Sequence, residues 1–276
     1  MIKTTIDLKE KANYIRKDVV ETAIKNKAGH IASALSTVDI LVSLYYRIMN
    51  IHGHSSPEWK NRDRFILSKA HGCYALYSIL ADIGVLPFEE WNNLGQGSSL
   101  RGAVEKNEEY CLEATGGSLG HGLPIAVGIA FGARLQNKKY RIYCIVGDGE
   151  LQEGSMWEAI QFASKHKLSN LTMIVDNNGL QAMDFVENIL ADKDNANELK
   201  RKLSAFGFEV EICDGHNIDE IIPILENWKN NGSISKPQVL IANTTKGYGL
   251  KCMENIPKFH YRLPTEEELK MGNRYE

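Results

Sequence analysis

The sequence predicts an α/β protein in three layers, with a mostly parallel central sheet between two layers of helices. Three observations carry this. Short apolar runs of strand length recur at "FIL", "RIYCIV", "LTMIV", "FEVEIC" and "QVLIAN". Stretches of helical apolar spacing alternate with them, and such alternation gives right-handed crossovers and a parallel sheet covered on both faces. The turns "SKAHG", "GDG" and "DNNGLQ" follow three of the runs, at the carboxyl ends of strands where an open parallel sheet takes its ligands.

Taken in order, Leu8 to Asn26 has helical apolar spacing, and a second helix is expected from Thr37 to Met49, capped by Ser36 or Thr37. The segment between them, "NKAGHIASALS", reads as a small-residue loop holding His30. "DRFILSKAHG" is a short strand running into a polar turn, and "CYALYSILADIG" a helix closed by Gly84. Residues 95 to 122 are rich in glycine and polar residues, after which "LPIAVGIAFGARLQ" reads as a closely packed helix. Helices near Gly154 to Lys167, Asn195 to Phe206 and Asn217 to Lys229 separate the later strands. "QAMDFVENILADKDNAN" has little periodicity and is expected to be a mobile loop. No repeat or low-complexity linker divides the chain, so one domain is expected over residues 1–276.

The composition is that of an ordinary globular protein, 43% hydrophobic and 24% charged over 276 residues. With 32 basic against 35 acidic residues and no Lys/Arg block, nucleic acid is not an expected partner. Five scattered cysteines without C-x-x-C spacing argue against a disulfide framework or a zinc site. No apolar run is long enough to span a membrane and the N-terminus lacks a signal-type apolar region, so a cytoplasmic location is expected.

The chemistry concentrates at "GDGELQEGSMWEA" and "DNNGLQ". They close strands that are consecutive in the chain, so both turns fall on one edge of the sheet. Asp148 offers anionic oxygens, Asn178 a neutral amide oxygen, and Leu180 a main-chain carbonyl. Such a sparse oxygen set suits Mg²⁺ or Ca²⁺ when a phosphate supplies the remaining ligands. Gly147 and Gly149 let the backbone approach a pyrophosphate, to which the Gly149 N–H can donate. Either turn alone needs no chemistry. Their combination is the specific signal.

Together these residues resemble the thiamine diphosphate (ThDP) enzymes, and within them the transketolase family. "GDGELQEGSMWEA" is similar to that family's GDG-x-x-x-EG-x-x-WEA signature, with "DNNGLQ" as its partner turn. The resemblance implies a ThDP-binding fold of the pyrophosphate-binding type, with N-terminal helices and a C-terminal extension from about residue 245. It also implies that Asp148, Asn178 and the Leu180 carbonyl bind Mg²⁺ or Ca²⁺, with Gly149, Glu150 and Asn178 at the cofactor. "KAGHIASALS" looks like the family's first histidine loop, which places His30 at the substrate channel. "FILSKAHGCYALY" resembles its SKGH turn, with His71 near diphosphate and substrate, and "ATGGSLGHGL" resembles TTGSLGQG, whose main chain at Gly117, Ser118 and Leu119 meets the cofactor. "TTKGYGLKCMENIPKFHYRLPTEEEL" is similar to KGKG-x-x-x-MEN…WH and makes His260 the third active-site histidine, also at the cofactor. His30, His71 and His260 are the catalytic candidates so implied; His52, His54, His166 and His216 read as solvated or hydrogen-bonded residues, and "DGHN" at Asp214 as a turn and helix cap. Glu153 would lie near a subunit interface.

Two departures from the family pattern stand out. Ala103 occupies the place of a histidine that contacts donor hydroxyls, and His121 stands where glutamine is commoner. The pyrimidine-binding domain and its activating glutamate have no counterpart in the sequence. The resemblance therefore implies the N-terminal subunit of a split transketolase, moving a two-carbon ketol unit between sugars or sugar phosphates and active only with a C-terminal subunit in an α2β2 heterotetramer. Gly117 to Ala133 and Gly154 to Ala163 are the candidate interface. Two other readings stay open: a ketol or acyloin transferase of a specialised carbohydrate or secondary pathway, and a non-catalytic ThDP-binding regulatory subunit.

Overall fold

A computed structural model describes residues 4–51, 57–190, 194–232 and 235–271. His52 and His54 lie outside these, as do residues 191–193 of the loop expected after Gln181.

The first helix, α1 (Thr5–Asn26), starts three residues earlier than its apolar spacing shows, because Thr4 and Asp7 form a reciprocal capping box. It buries Leu8, Ala12, Ile15, Val19 and Ala23 along one face. The expected loop around His30 is partly helical: α2 (Ile31–Leu35) follows His30, whose left-handed backbone (φ 61°) turns the chain into it. Five residues are too few for periodicity to reveal. The helix expected from Thr37 to Met49 is instead α3 (Val38–Ser43) followed by a wider π turn over Leu44–Ile48, closed by Met49 N–H donating to Leu44 O. Neither Ser36 nor Thr37 caps it, since the Ser36 hydroxyl donates to Asp176 and that of Thr37 to Ala34 O.

Next come β1 (Arg64–Leu67), α4 (Cys73–Asp82) and the short α5 (Phe88–Asn92), which the sequence did not announce. Gly84 does end the α4 segment, with φ 73°. The order continues α6 (Gly122–Leu135), β2 (Ile142–Gly147), α7 (Gly154–Lys165), β3 (Leu171–Asn177), α8 (Asn195–Ala205), β4 (Glu209–Asp214), α9 (Ile218–Asn231), β5 (Gln238–Asn243) and α10 (Glu266–Met271).

All five strands run parallel, in the order β1-β2-β3-β5-β4. Side chains alternate between two cores. From β2, Tyr143 and Ile145 join α1 to α4 and α9, whereas Ile142, Cys144 and Val146 join α6, α7 and α8. These cores make the three layers, and the register brings Gly147, Asp176 and Asn243 to one edge of the sheet. All five cysteines are free. No helix among the described residues is long and apolar enough to cross a membrane.

Candidate active site

An open cleft of about 520 Å³ lies at the carboxyl ends of the strands. The turns after β2 and β3 meet there. Asp148 Oδ1 accepts from Gly149 N–H (2.7 Å) and Oδ2 from Gly179 N–H (2.6 Å). Burial, with the charge of Asp176 adding to it, pushes the Asp148 carboxyl up to about 6, so the ionised form lacks charge compensation. Asn178 is oriented from both ends: its amide nitrogen donates to Asp176 Oδ2 (2.9 Å) and its oxygen accepts from Leu180 N–H (3.0 Å).

Three loops from distant parts of the sequence are joined by Glu150, which is 2% exposed. Its carboxylate accepts from Ser68 Oγ (2.6 Å), Gly120 N–H (2.9 Å) and Gly147 N–H (3.2 Å). In the "ATGGSLGHG" loop, glycine is a packing requirement at Gly116, where a Cβ would stand 2.3 Å from Ala70 Cβ, and at Gly120, with φ 84° and Ser155 Oγ 2.6 Å away. Gly117 differs: a Cβ there would meet nothing within 4 Å. Gly117, Ser118 and Leu119 are exposed residues.

Three imidazoles also line the cleft. His30, His71 and His260 form a near-equilateral triangle with ring centroids 5.3, 5.5 and 5.5 Å apart. The N-terminal loop and the C-terminal segment are locked together here, since His30 N–H donates to Tyr261 O (3.3 Å) and a Cβ on Gly29 would strike that oxygen at 2.5 Å. Lys246, 3% exposed, donates from Nζ to Leu180 O (2.9 Å) and to His260 Nδ1 (2.8 Å). An ammonium can only donate, so the ring proton of neutral His260 sits on Nε2. Burial and neighbouring cations hold His260 down to about 4 and His71 down to about 2, and burial followed by Lys246 lowers His30. All three rings are neutral at pH 7.

At the base of the cleft, which Lys69 lines, is a buried ion pair between Lys69 and Asp176, 2% and 0% exposed. Lys69 Nζ also donates to Ser33 O (2.8 Å), and Asp176 accepts from Ser36 Oγ (2.8 Å) and Thr244 Oγ1. Burial alone would raise the Asp176 carboxyl, but Lys69 and the hydroxyl donors hold it below the usual carboxylate range.

Residues 8–273 match the family model described as transketolase, thiamine diphosphate binding domain. The chain belongs to the transketolase family. Among curated relatives it is 41% identical to an apulose-4-phosphate transketolase subunit of Actinobacillus succinogenes, covering 96% of this chain and 94% of that one. It is 37% identical to a 6-deoxy-6-sulfo-D-fructose transketolase subunit of a Clostridium species, covering 98% and 96%. Its structure superposes on the Campylobacter jejuni transketolase with a TM-score of 0.86 at 32% identity, covering 98% of this chain but 42% of that longer one. Membership in this transferase family agrees with the α/β fold and with ThDP-dependent ketol transfer.

For a transketolase-family chain, the donors at this edge fit a diphosphate held by a divalent ion. Asp148, Asn178 and Leu180 all line the cleft, and Asp148 is a buried carboxylate short of positive charge. Among the described residues no cluster of three or more His, Cys, Asp or Glu forms a metal site. The set here is one carboxylate with two neutral oxygens, which suits a hard cation sharing phosphate ligands. Gln181 lines the same cleft, and its Nε2 is a buried donor without a partner among the described residues, as an acceptor-rich ligand would need. Glu150 fits its expected cofactor contact less directly. Its carboxylate is turned inward and would repel a diphosphate, leaving its main chain for any such contact.

Sequence reading missed Lys69, Asp176, Lys246 and Gln181. Lysine within "SKAHG" and "TTKGYG" carried a usable signal, because a lysine inside an otherwise small-residue turn rarely has solvent as its only purpose. Asp176 was hidden by the more obvious asparagine pair after it, and Gln181 by a segment without periodicity.

Proposed function

We propose that this chain is the metal- and diphosphate-holding half of a two-subunit transketolase that moves a two-carbon ketol unit from a ketose to an aldose. The observation that carries the reading is the convergence of His30, His71 and His260, 5.3 to 5.5 Å apart, in the cleft that also holds Asp148, Asn178 and Leu180. Bound there, ThDP would supply the electron sink for breaking and making the carbon–carbon bond. Asp148, Asn178 and Leu180 would hold Mg²⁺ or Ca²⁺ against its diphosphate, with main chain at Gly117, Ser118, Leu119, Gly149 and Glu150 and the side chain of Asn178 around it. His71 and His260 would reach both cofactor and substrate, and His30 the substrate alone. Kept neutral by burial and nearby lysines, these rings can each donate and accept a hydrogen bond at substrate hydroxyls.

Two further observations support a separate partner. Relatives of matching length are named as transketolase subunits, and Ile125, Leu135 and Phe162 on α6 and α7 are large exposed apolar residues, as an obligate interface needs. An α2β2 assembly in the cytoplasm would keep the two-fold pairing of sites. The domain is read as continuous over residues 1–276, with the segment from about 245 as the extension that brings in His260. A specialised ketose donor is favoured by Ala103 in the cleft, and an anionic end group on it by the phosphate and sulfo groups in the names of these relatives. The test is to express the chain with and without a partner carrying the pyrimidine domain, then to assay ketol transfer with ThDP and Mg²⁺. Activity is expected only in the assembled protein. Turnover by the chain alone would overturn the two-subunit reading, and inactivity of a well-formed assembly across phospho- and sulfo-ketoses would overturn ketol transfer.

A further inference from the structure

His216 stands behind the cleft on the turn between β4 and α9, and is not among the residues lining it. The turn does not need a histidine ring. Asp214 Oδ1 accepts from the His216 N–H (2.9 Å), and Asn217 Oδ1 caps α9 through Asp219 N–H (3.1 Å). The ring has other partners. Its Nδ1 lies 2.9 Å from Asp39 Oδ2 on α3, and its Nε2 lies 2.8 Å from the main-chain nitrogen of Thr245. A main-chain N–H can only donate, so Nε2 is the acceptor and the ring proton is on Nδ1, facing Asp39. The ring stacks on Tyr248 with centroids 3.5 Å apart and planes 12° from parallel. Arg16, over the Tyr248 ring at 4.9 Å, also pairs with Asp39. Asp39 and Arg16 are each 4% exposed, so the ring is held against a buried frame.

Thr245 immediately precedes Lys246. The segment around it is pinned by the Thr244 hydroxyl on Asp176, by His216 on Thr245, and by Gly247 N–H on Ala32 O (3.0 Å). We propose that His216 is a positioning residue for the active site: through the Thr245 main chain it holds the Lys246 ammonium against the Leu180 carbonyl and His260. The importance of that placement rests on the ketol-transfer reading of the cleft. The placement itself can be tested without cofactor or metal.

The test follows the His260 imidazole by NMR titration in the ligand-free protein. His216→Asn keeps a donor for Asp39 but is too short to accept from Thr245, whereas His216→Gln carries an amide to the place of Nε2. With Lys246 released, His260 should titrate about one pH unit above its wild-type position in His216→Asn, and close to wild type in His216→Gln. Circular dichroism confirms that each variant is folded. A folded His216→Asn in which His260 has not moved overturns the proposal, and so does equal movement in both variants. A ¹⁵N spectrum of the His216 ring in the wild-type protein gives a measurement free of any substitution. A proton on Nδ1 alone is expected, and one on Nε2 overturns the tether. Failure here leaves ketol transfer standing, and failure of transfer leaves these readouts intact.

Discussion

Two groups of buried charges meet at the carboxyl end of the sheet, and they differ in how completely they are partnered. At the base of the cleft, Lys69, Asp176 and Glu150 are saturated: Asp176 takes up Lys69, Ser36, Asn178 and Thr244, and Glu150 takes up Ser68, Gly120 and Gly147. In front, Asp148 is pushed up to about 6, Lys246 down to about 8, and Gln181 Nε2 has no partner among the described residues. Burial is the leading cause of both shifts, so burial alone does not separate the two groups. Internal partners do. The saturated set is the frame that joins the loops, and the unsaturated set is the face left for ligand charge.

The comparison breaks hardest at the frame. Lys69→Met leaves Asp176 buried without its cation, and removing one partner of such a pair costs about 3–5 kcal/mol. Chemical denaturation should show that loss, and adding Asp176→Leu should recover much of it. A loss below about 1 kcal/mol, with ThDP binding gone and the fold intact, would move Lys69 from the frame to the ligand face. Asp148→Ala should do the reverse. Stability should stay within about 1 kcal/mol of wild type, because relief of a poorly compensated charge offsets the two main-chain N–H bonds lost. Calorimetry of ThDP with Mg²⁺ in the assembled protein should lose more than about 100-fold in affinity, since even outer partners of metal ligands are worth 10–100-fold. Unchanged, metal-independent binding would remove Asp148 from the site.

The same division explains what the sequence made legible. Strands such as "RIYCIV" and "LTMIV" are buried on both faces and announce themselves as apolar runs, and their polar turns stand out against them. Asp148, Asn178 and the three histidines, which line one cleft, stood out because their motifs are local. Frame residues are harder to read. Lys69 and Asp176 lie 107 positions apart, and only the β1–β2–β3 pairing brings their ends together. His216 looked like part of a turn because its partners, Asp39 and Thr245, come from segments with no sequence link to it. Helix α2 was lost for a different reason: five residues, three of them small, carry too little pattern to tell a helical turn from a loop.

The smallest effect belongs to a residue that is on the ligand face but carries no charge. Ala103 lines the cleft with His30 and His71, and its main chain is fixed, with its carbonyl accepting from Tyr77 OH (3.2 Å) and the next N–H, of Val104, donating to Ala70 O (3.3 Å). A side chain placed at 103 therefore starts from a set position next to the SKAH turn and projects from a half-buried site into an open cleft. Ala103→His would add a hydrogen-bonding ring there without disturbing either the frame or Asp148, Asn178 and Leu180, the residues proposed to hold the metal. One regained hydrogen bond to a donor hydroxyl is worth on the order of 1 kcal/mol, or roughly five-fold in kcat/KM. The expected result is a shift of that size toward an ordinary ketose phosphate relative to the native donor, with stability and ThDP affinity unchanged. Equal kcat/KM ratios across several donors would mean that position 103 does not face the donor, and that another cleft residue sets the choice.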